Sequence, residues 1–160
     1  MSLTALLVDH PFPDDDPLLH SRDTTLTAGA ARSAAREVAD ALQAAGVEAG
    51  HAVAVQLANG PGAITAMFGV WLAGGVFVPV NPRSPEQERR NILDAMRPAV
   101  LLTAAGPEVL ADATTYDPGV AFVTWTSGTT GAPKPVLHTH TNYLELLDRV
   151  LGPLRGSRGK

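Results

Sequence analysis

The stretch Thr126-Ser127-Gly128-Thr129-Thr130-Gly131-Ala132-Pro133-Lys134 gathers four hydroxyl side chains, two glycines and a lysine. Its chemistry is that of a polyphosphate cradle. Gly128 and Gly131 carry no side chain, so a large anion can come close to the backbone. The hydroxyls of Thr126, Ser127, Thr129 and Thr130 can donate hydrogen bonds to phosphate oxygens. Lys134 adds a positive point charge, and no acidic residue lies between Asp117 and Glu145 to oppose it. Lys134 and Lys160 are the only lysines among 12 basic residues. The spacing is not that of a Walker A loop, which ends in Gly-Lys-Ser/Thr, nor of the three-glycine dinucleotide fingerprint. Ser127 lacks the preceding glycine of a nucleophile elbow. A nucleophilic serine and a ligand-free polar loop are therefore the lesser readings.

Other residue clusters carry less. His138 and His140 could share one face of a strand, but the chain has no cysteine and no nearby acidic set completes a zinc site. Asp14-Asp15-Asp16 lacks the ligand spacing of a calcium loop and reads as a solvated turn. Phe68, Trp71 and Phe77 read as core rather than as a cofactor platform.

These residues need a scaffold, and the chain of 160 residues, 45% hydrophobic and 18% charged, can bury a core. A formal net charge of -4 excludes a nucleic-acid binder with a broad basic surface. The absence of cysteine excludes disulfide scaffolds and thiol catalysis. The N-terminus has no signal-peptide pattern, which predicts a cytoplasmic protein. Residues 49–82 contain no Asp, Glu, Lys or Arg. Asn59-Gly60-Pro61-Gly62, Gly74-Gly75 and Pro79 break that run, so it reads as strand, helix and strand rather than as a membrane span.

The periodicity predicts the elements. Leu18–Ser21 and Thr24–Leu26 form a hairpin. Thr27 caps a helix to about Ala45, whose apolar face is Ala31, Ala34, Ala35, Val38, Ala39 and Leu42. Strands follow at Val53–Leu57, Val76–Val78, Val100–Thr103 and Val120–Trp125. Between them lie a helix from Pro61 to Leu72 and a helix capped by Ser84, with Pro85 at its first position and Gln87 closing a capping box. A short helix is expected over Pro107–Ala113. A last helix, capped by Asn142 with Glu145, carries Tyr143, Leu144, Leu147 and Leu151. This order predicts an α/β fold, a mostly parallel sheet flanked by helices. The loop at 126–134 leaves the carboxyl end of a strand, where ligands bind in such sheets.

Thr126 to Lys134 closely resembles the phosphate loop of the adenylate-forming superfamily, which includes acyl-CoA synthetases and the adenylation domains of peptide synthetases. Leu72-Ala73-Gly74-Gly75-Val76-Phe77-Val78-Pro79-Val80-Asn81-Pro82 resembles an upstream core motif of that family. Ala45 to Val55 resembles the helix-to-strand entry before it, and His140 and Asn142 fall where the family has His and Asn. The resemblance spans roughly Leu18 to the C-terminus. It implies that residues 1–160 are the N-terminal portion of the large AMP-binding domain, with the rest of that domain and a small C-terminal domain absent. It further implies activation of a small-molecule carboxylate, fatty or otherwise, by ATP with Mg²⁺, then thioester formation with coenzyme A. Loading of a carrier protein is an alternative acceptor step, and a non-catalytic binding module is an alternative from another class.

By the same resemblance Thr126, Ser127, Gly128, Thr129, Thr130, Gly131 and Lys134 hold the β- and γ-phosphates. Lys134 and His140 are the catalytic candidates, His140 near the acyl carboxylate. The resemblance assigns no metal ligand within the chain. Pro135 departs from the family, which mostly has glycine after the loop lysine. Proline cannot donate an N–H and holds Lys134 extended. The chain alone is not expected to complete adenylation. A sheet cut short exposes apolar surface, from which a homodimer is one expectation.

Overall fold

Ala52-Val53-Ala54-Val55 is apolar at every position, the composition of a strand covered on both faces. The computed structural model, which describes residues 1–126 and 134–155, buries all four as β3 (Ala52–Val55). Beside it lie β4 (Val76–Pro79), β5 (Val100–Thr103) and β7 (Val120–Thr126), all parallel. Two antiparallel strands, β6 (Gly106–Val109) and β8 (Lys134–Thr139), close the sheet in the order β6-β5-β3-β4-β7-β8. The expected α/β fold is therefore present, with a mixed rather than wholly parallel sheet.

β6 replaces the helix expected over Pro107–Ala113. Thr103 pairs with Gly106 across Ala104-Ala105. The Thr103 hydroxyl accepts from the Ala105 N–H at 3.2 Å, and Gly106 adopts φ +111°, a value open to glycine. Pro107 is tolerated because the strand is an edge.

Helices cover both faces. α2 (Ala28–Ala44) starts where Thr27 accepts from the Ala30 N–H at 3.2 Å, as the sequence predicts. Its small residues Ala31, Ala35 and Ala39 are buried, so α3 (Pro61–Leu72) packs closely across it. Val53 and Val55 of β3 join Leu42, Ala66 and Val70 of these helices in one core. Ala52 and Ala54 point the other way, to Ile92 and Met96 of α4 (Glu86–Met96). α3 follows β3 onto one face and α4 follows β4 onto the other. The chain therefore leaves these two adjacent, paired strands toward opposite faces at their carboxyl ends, the arrangement that opens a crevice in such sheets.

α4 begins one residue later than predicted. Pro85, extended at φ −54° and ψ 147°, occupies the cap without a side-chain bond. The Gln87 side chain donates to Asn91 at 2.9 Å instead of closing a box with Ser84. Glu86 pairs with Arg89 and Arg90.

A short helix α1 (Ala5–Val8) and the hairpin β1 (Pro17–His20) and β2 (Thr25–Thr27) lie across the outer side of α2. Arg32 of α2 is 9% exposed and binds the arm at four points. Its Nε donates to Leu7 O at 3.1 Å, Nη1 to Asp14 Oδ1 at 2.6 Å, and Nη2 to His10 O at 2.6 Å and Phe12 O at 3.0 Å. Asp14 is thus one half of an ion pair and not only a solvated turn residue.

At the other end, α5 (His140–Arg155) packs Tyr143, Leu144 and Leu147 around Trp71, Ala121 and Phe122. Thr139 caps it, accepting from the Asn142 N–H at 3.2 Å, so Asn142 sits in the first turn instead of at the cap. No helix among the described residues is long and apolar enough to cross a membrane.

Candidate functional site at the carboxyl edge of the sheet

β7 and β8 form a hairpin whose last described pair is Thr126 with Lys134. The Thr126 hydroxyl donates to Lys134 O at 3.4 Å. The two ends of the predicted loop are thereby held side by side at the carboxyl edge of the parallel strands. Ser127, Gly128, Thr129, Thr130 and Gly131 lie outside the described residues. Lys134 is exposed and extended at the first position of β8, the conformation that a following proline favours. Pro135 pairs with Trp125 and sits on an edge strand, where a missing N–H does not break a central ladder.

Two features of this edge were not singled out from sequence. The first is a cavity of about 480 Å³ between the ends of β3 and β4, lined among others by Val55, Asn59, Phe77, Asn81 and Arg83. The Asn81 side chain accepts from the Arg83 N–H at 2.9 Å, which shapes the turn leaving β4. The available signal was Asn81-Pro82-Arg83 directly after a parallel strand. The second is Trp125, packed toward α4, whose buried indole N–H has no acceptor among the described residues. It lies one residue before Thr126.

The two histidines are elsewhere. β8 runs antiparallel to β7, so it carries the chain from Lys134 at the carboxyl edge to His140 at the opposite one. There the His140 N–H donates to Gly119 O at 3.0 Å, just before β7 begins. Seven residues of strand separate the edges, about 20 Å. The fold thus does not bring Lys134 and His140 together.

His140 Nδ1 accepts from the Leu3 N–H at 3.2 Å. Its ring stands edge-on to Trp71 with centroids 5.7 Å apart. Burial, and secondarily the positive N-terminus, hold its pKa below the usual histidine value. Neutral Nδ1 is the acceptor that the Leu3 bond requires. His138 stacks on Phe122 at 4.7 Å, and its Nε2 lies 2.8 Å from the Thr124 hydroxyl. His138 lies within β8 and His140 opens α5. No group of three His, Asp or Glu side chains suited to a metal occurs among the described residues.

Thr126 and Lys134 thus stand at the carboxyl edge of the sheet, on the two strands beyond the crevice between β3 and β4. Comparison with known proteins bears on the fold and the family. Pyochelin synthetase PchE of Pseudomonas aeruginosa is 34% identical over 89% of this chain and 11% of its own length. The chain spans about a tenth or less of the curated relatives it matches. Among solved structures, O-succinylbenzoate coenzyme A synthetase (MenE) of Bacillus subtilis, in complex with AMP, superposes with a TM-score of 0.70. That match has 24% identity and covers 93% of this chain and 44% of that one. The N-terminal subdomain of Klebsiella oxytoca NpsA, in complex with 3-hydroxybenzoyl-AMSN, gives a TM-score of 0.71 at 23% identity. It covers 87% of this chain and 41% of the subdomain. These two likenesses show the fold of the N-terminal domain of adenylate-forming enzymes. A family model described as AMP-binding enzyme matches residues 9–120, ending at the first residue of β7. With well over half of its length matched, the chain belongs to the AMP-binding enzyme family.

Proposed function

We propose that this chain carries the polyphosphate site of a protein that activates a carboxylic acid with ATP. A carboxylate oxygen attacks the α-phosphorus, the bond to the β-phosphate oxygen breaks, and acyl-adenylate and pyrophosphate form. A thiolate then attacks the acyl carbon and AMP leaves. The observation that carries the reading is the Thr126–Lys134 pair, which anchors the hydroxyl- and glycine-rich bend at the carboxyl edge of the sheet. A cation and hydroxyl donors placed there oppose the charge that builds on departing pyrophosphate. Within this reading Thr126 and Lys134, with Ser127, Gly128, Thr129, Thr130 and Gly131, hold the β- and γ-phosphates. Mg²⁺, when bound with the nucleotide, would neutralise charge on the same phosphates. His140 is tied to Leu3 and Trp71 at the far edge and is assigned no contact with the phosphates.

The thiol of a carrier protein is the acceptor favoured over coenzyme A. Similarity to relatives named as peptide synthetases, besides pyochelin synthetase PchE, supports that acceptor. The acid is a small organic acid in either case. The test is ATP–pyrophosphate exchange by the full-length protein. Lys134→Ala is expected to raise the ATP concentration for half-maximal exchange at least about tenfold, the loss of one charge-assisted contact, with the acid dependence unchanged. Unchanged ATP dependence would sink the assignment.

A further inference from the structure

The cavity between the carboxyl ends of β3 and β4 owes its existence to small side chains. The turn after β3 and the start of α3 read Ala58-Asn59-Gly60-Pro61-Gly62-Ala63, and a Cβ added at Gly60 or Gly62 would meet nothing within 4 Å. The first turn of α3 therefore covers the sheet thinly. β4 records the gap. Val76 and Val78, on the α4 face, are fully buried, whereas Phe77 and Pro79, on the α3 face, are not, although β4 is paired on both sides. The space left is about 480 Å³. Val55, Phe77 and Pro79 give it apolar walls, and three exposed polar side chains, Asn59, Asn81 and Arg83, line it as well. Arg83 is the one Asp, Glu, Lys or Arg among the lining residues. Its guanidinium has no hydrogen bond or ion pair among the described residues. Glu86, three positions on, is already bonded by Arg89 and Arg90 at 2.8 to 3.1 Å. Asn81 Oδ1 accepts from the Arg83 N–H, which leaves the Asn81 amide N–H groups to donate elsewhere.

We infer that this cavity is a second small-molecule site, for a monoanion with a compact apolar body such as an aromatic carboxylate. The carboxylate meets Arg83 and the Asn81 amide, and the ring lies against Phe77. A set of donors with one uncompensated positive charge selects an anionic acceptor, and a guanidinium matches a carboxylate in shape. The apolar walls select the hydrocarbon part, and the volume is that of an ordinary ligand pocket. The place agrees with the chemistry. Open α/β sheets take ligands in the crevice between parallel strands whose connections leave toward opposite faces, and β3 and β4 are such a pair. The site is separate from the one proposed for phosphates and stands without that reading. β8, which carries Lys134, lies two strands beyond β4, about 10 Å along the sheet.

The test is a calorimetric titration of the 160-residue chain with 2-naphthoate, and with 2-naphthamide and acetate as controls. The naphthoate is expected to bind one to one. The uncharged amide should bind at least about tenfold more weakly, the loss of one charge-assisted contact, and acetate should give no heat of binding. Arg83→Gln is expected to bring the naphthoate down to the affinity of the amide. Ala63→Phe, on the first turn of α3, is expected to abolish binding of both by filling the space. Arg83 is exposed, so its variant keeps the fold and decides the matter alone if the Ala63 variant does not fold. Absent binding, equal affinity for naphthoate and naphthamide, or unchanged binding by a folded variant would each overturn the inference. So would displacement of the naphthoate by ATP or by coenzyme A, which would make the space part of a co-substrate site. Binding by this chain but not by the full-length protein would also overturn it, by giving the space to the rest of the polypeptide. Naphthoate binding without pyrophosphate exchange would sink only the functional reading, and exchange without naphthoate binding only this site.

Discussion

At the scale of single residues, the strongest device is the buried guanidinium of Arg32. Four acceptors converge on it, three of them backbone carbonyls of the N-terminal arm. Arg32→Ala removes all of these bonds and leaves partly buried carbonyls unpaired. The expected cost is about 3 kcal/mol, because hydrogen bonds to a charged donor contribute about 1.5–3 kcal/mol and the carbonyls are left without their donor. Asp14→Asn is expected to cost less than about 1 kcal/mol, because its side chain is 81% exposed and exposed ion pairs contribute little. Denaturant titration of the two variants checks the contrast. Equal losses would mean that the ion pair, and not the carbonyl set, holds the arm. Neither partner was visible in the sequence. Arg32 sits between Ala31 and Ala35 on the buried side of an alanine-rich helix, and a helical pattern marks that side as apolar. Its acceptors are backbone atoms 20 to 25 residues away, which no side-chain pattern encodes.

At the scale of elements, the contact between α2 and α3 depends on Gly69. A Cβ placed there would lie 2.5 Å from Val38 Cγ1 and 2.9 Å from Ala35 O. Gly69→Ala gains about 1 kcal/mol of helix propensity but forces the helices apart, which typically costs about 1–3 kcal/mol. Ala35 O is backbone and cannot rotate away, so the clash wins and a net loss of about 1 kcal/mol is expected. Val38→Ala removes Cγ1 but leaves Cβ, which would lie 2.6 Å from the new methyl, so a double-mutant cycle is expected to recover little of the loss.

The same scale divides what could be read in advance from what could not. α2, α3, β3, β4 and β5 were legible because period, cap and breaker agree locally: Thr27 before an alanine stripe, Pro61 opening α3, Pro79 closing β4. β6 was not. Pro107-Glu108 looks like a helix start, and only pairing with Leu101 and Leu102 makes it a strand. The cap of α4 was missed by one residue and that of α5 by three, because hydroxyl and amide side chains crowd both starts. At the candidate site, the composition of the bend and its exit from β7 were legible. The cavity at Asn81–Arg83 and the Trp125 indole N–H, without an acceptor among the described residues, were not, since both arise from neighbouring strands.

At the scale of the whole molecule, the bond from the Leu3 N–H to His140 Nδ1 joins positions 137 residues apart. It fixes the N-terminal arm to the start of α5, with the Trp71 ring of α3 between them. Only a neutral imidazole can accept that bond, and burial lowers the His140 pKa below its ordinary value of about 6.5. The sign follows from linkage. The folded state binds the proton less tightly than the unfolded one, so stability is full above the unfolded pKa. It is then lost as the pH falls from there through the lower folded pKa, below which both states are protonated. Glu86, the one carboxylate with a resolved depression, owes it to its bonds with Arg89 and Arg90 and acts only below its own ordinary value near 4.5. The two windows therefore do not overlap near neutrality. Thermal melts should be flat from pH 8 to 7 and fall as the pH drops from about 6.5 toward 5.5. In the same window the Leu3 to Val8 amides should exchange faster. His140→Gln, which keeps an acceptor and cannot titrate, should flatten both profiles. A wild-type melting temperature constant to pH 5.5 would show that this bond does not hold the two ends of the chain together.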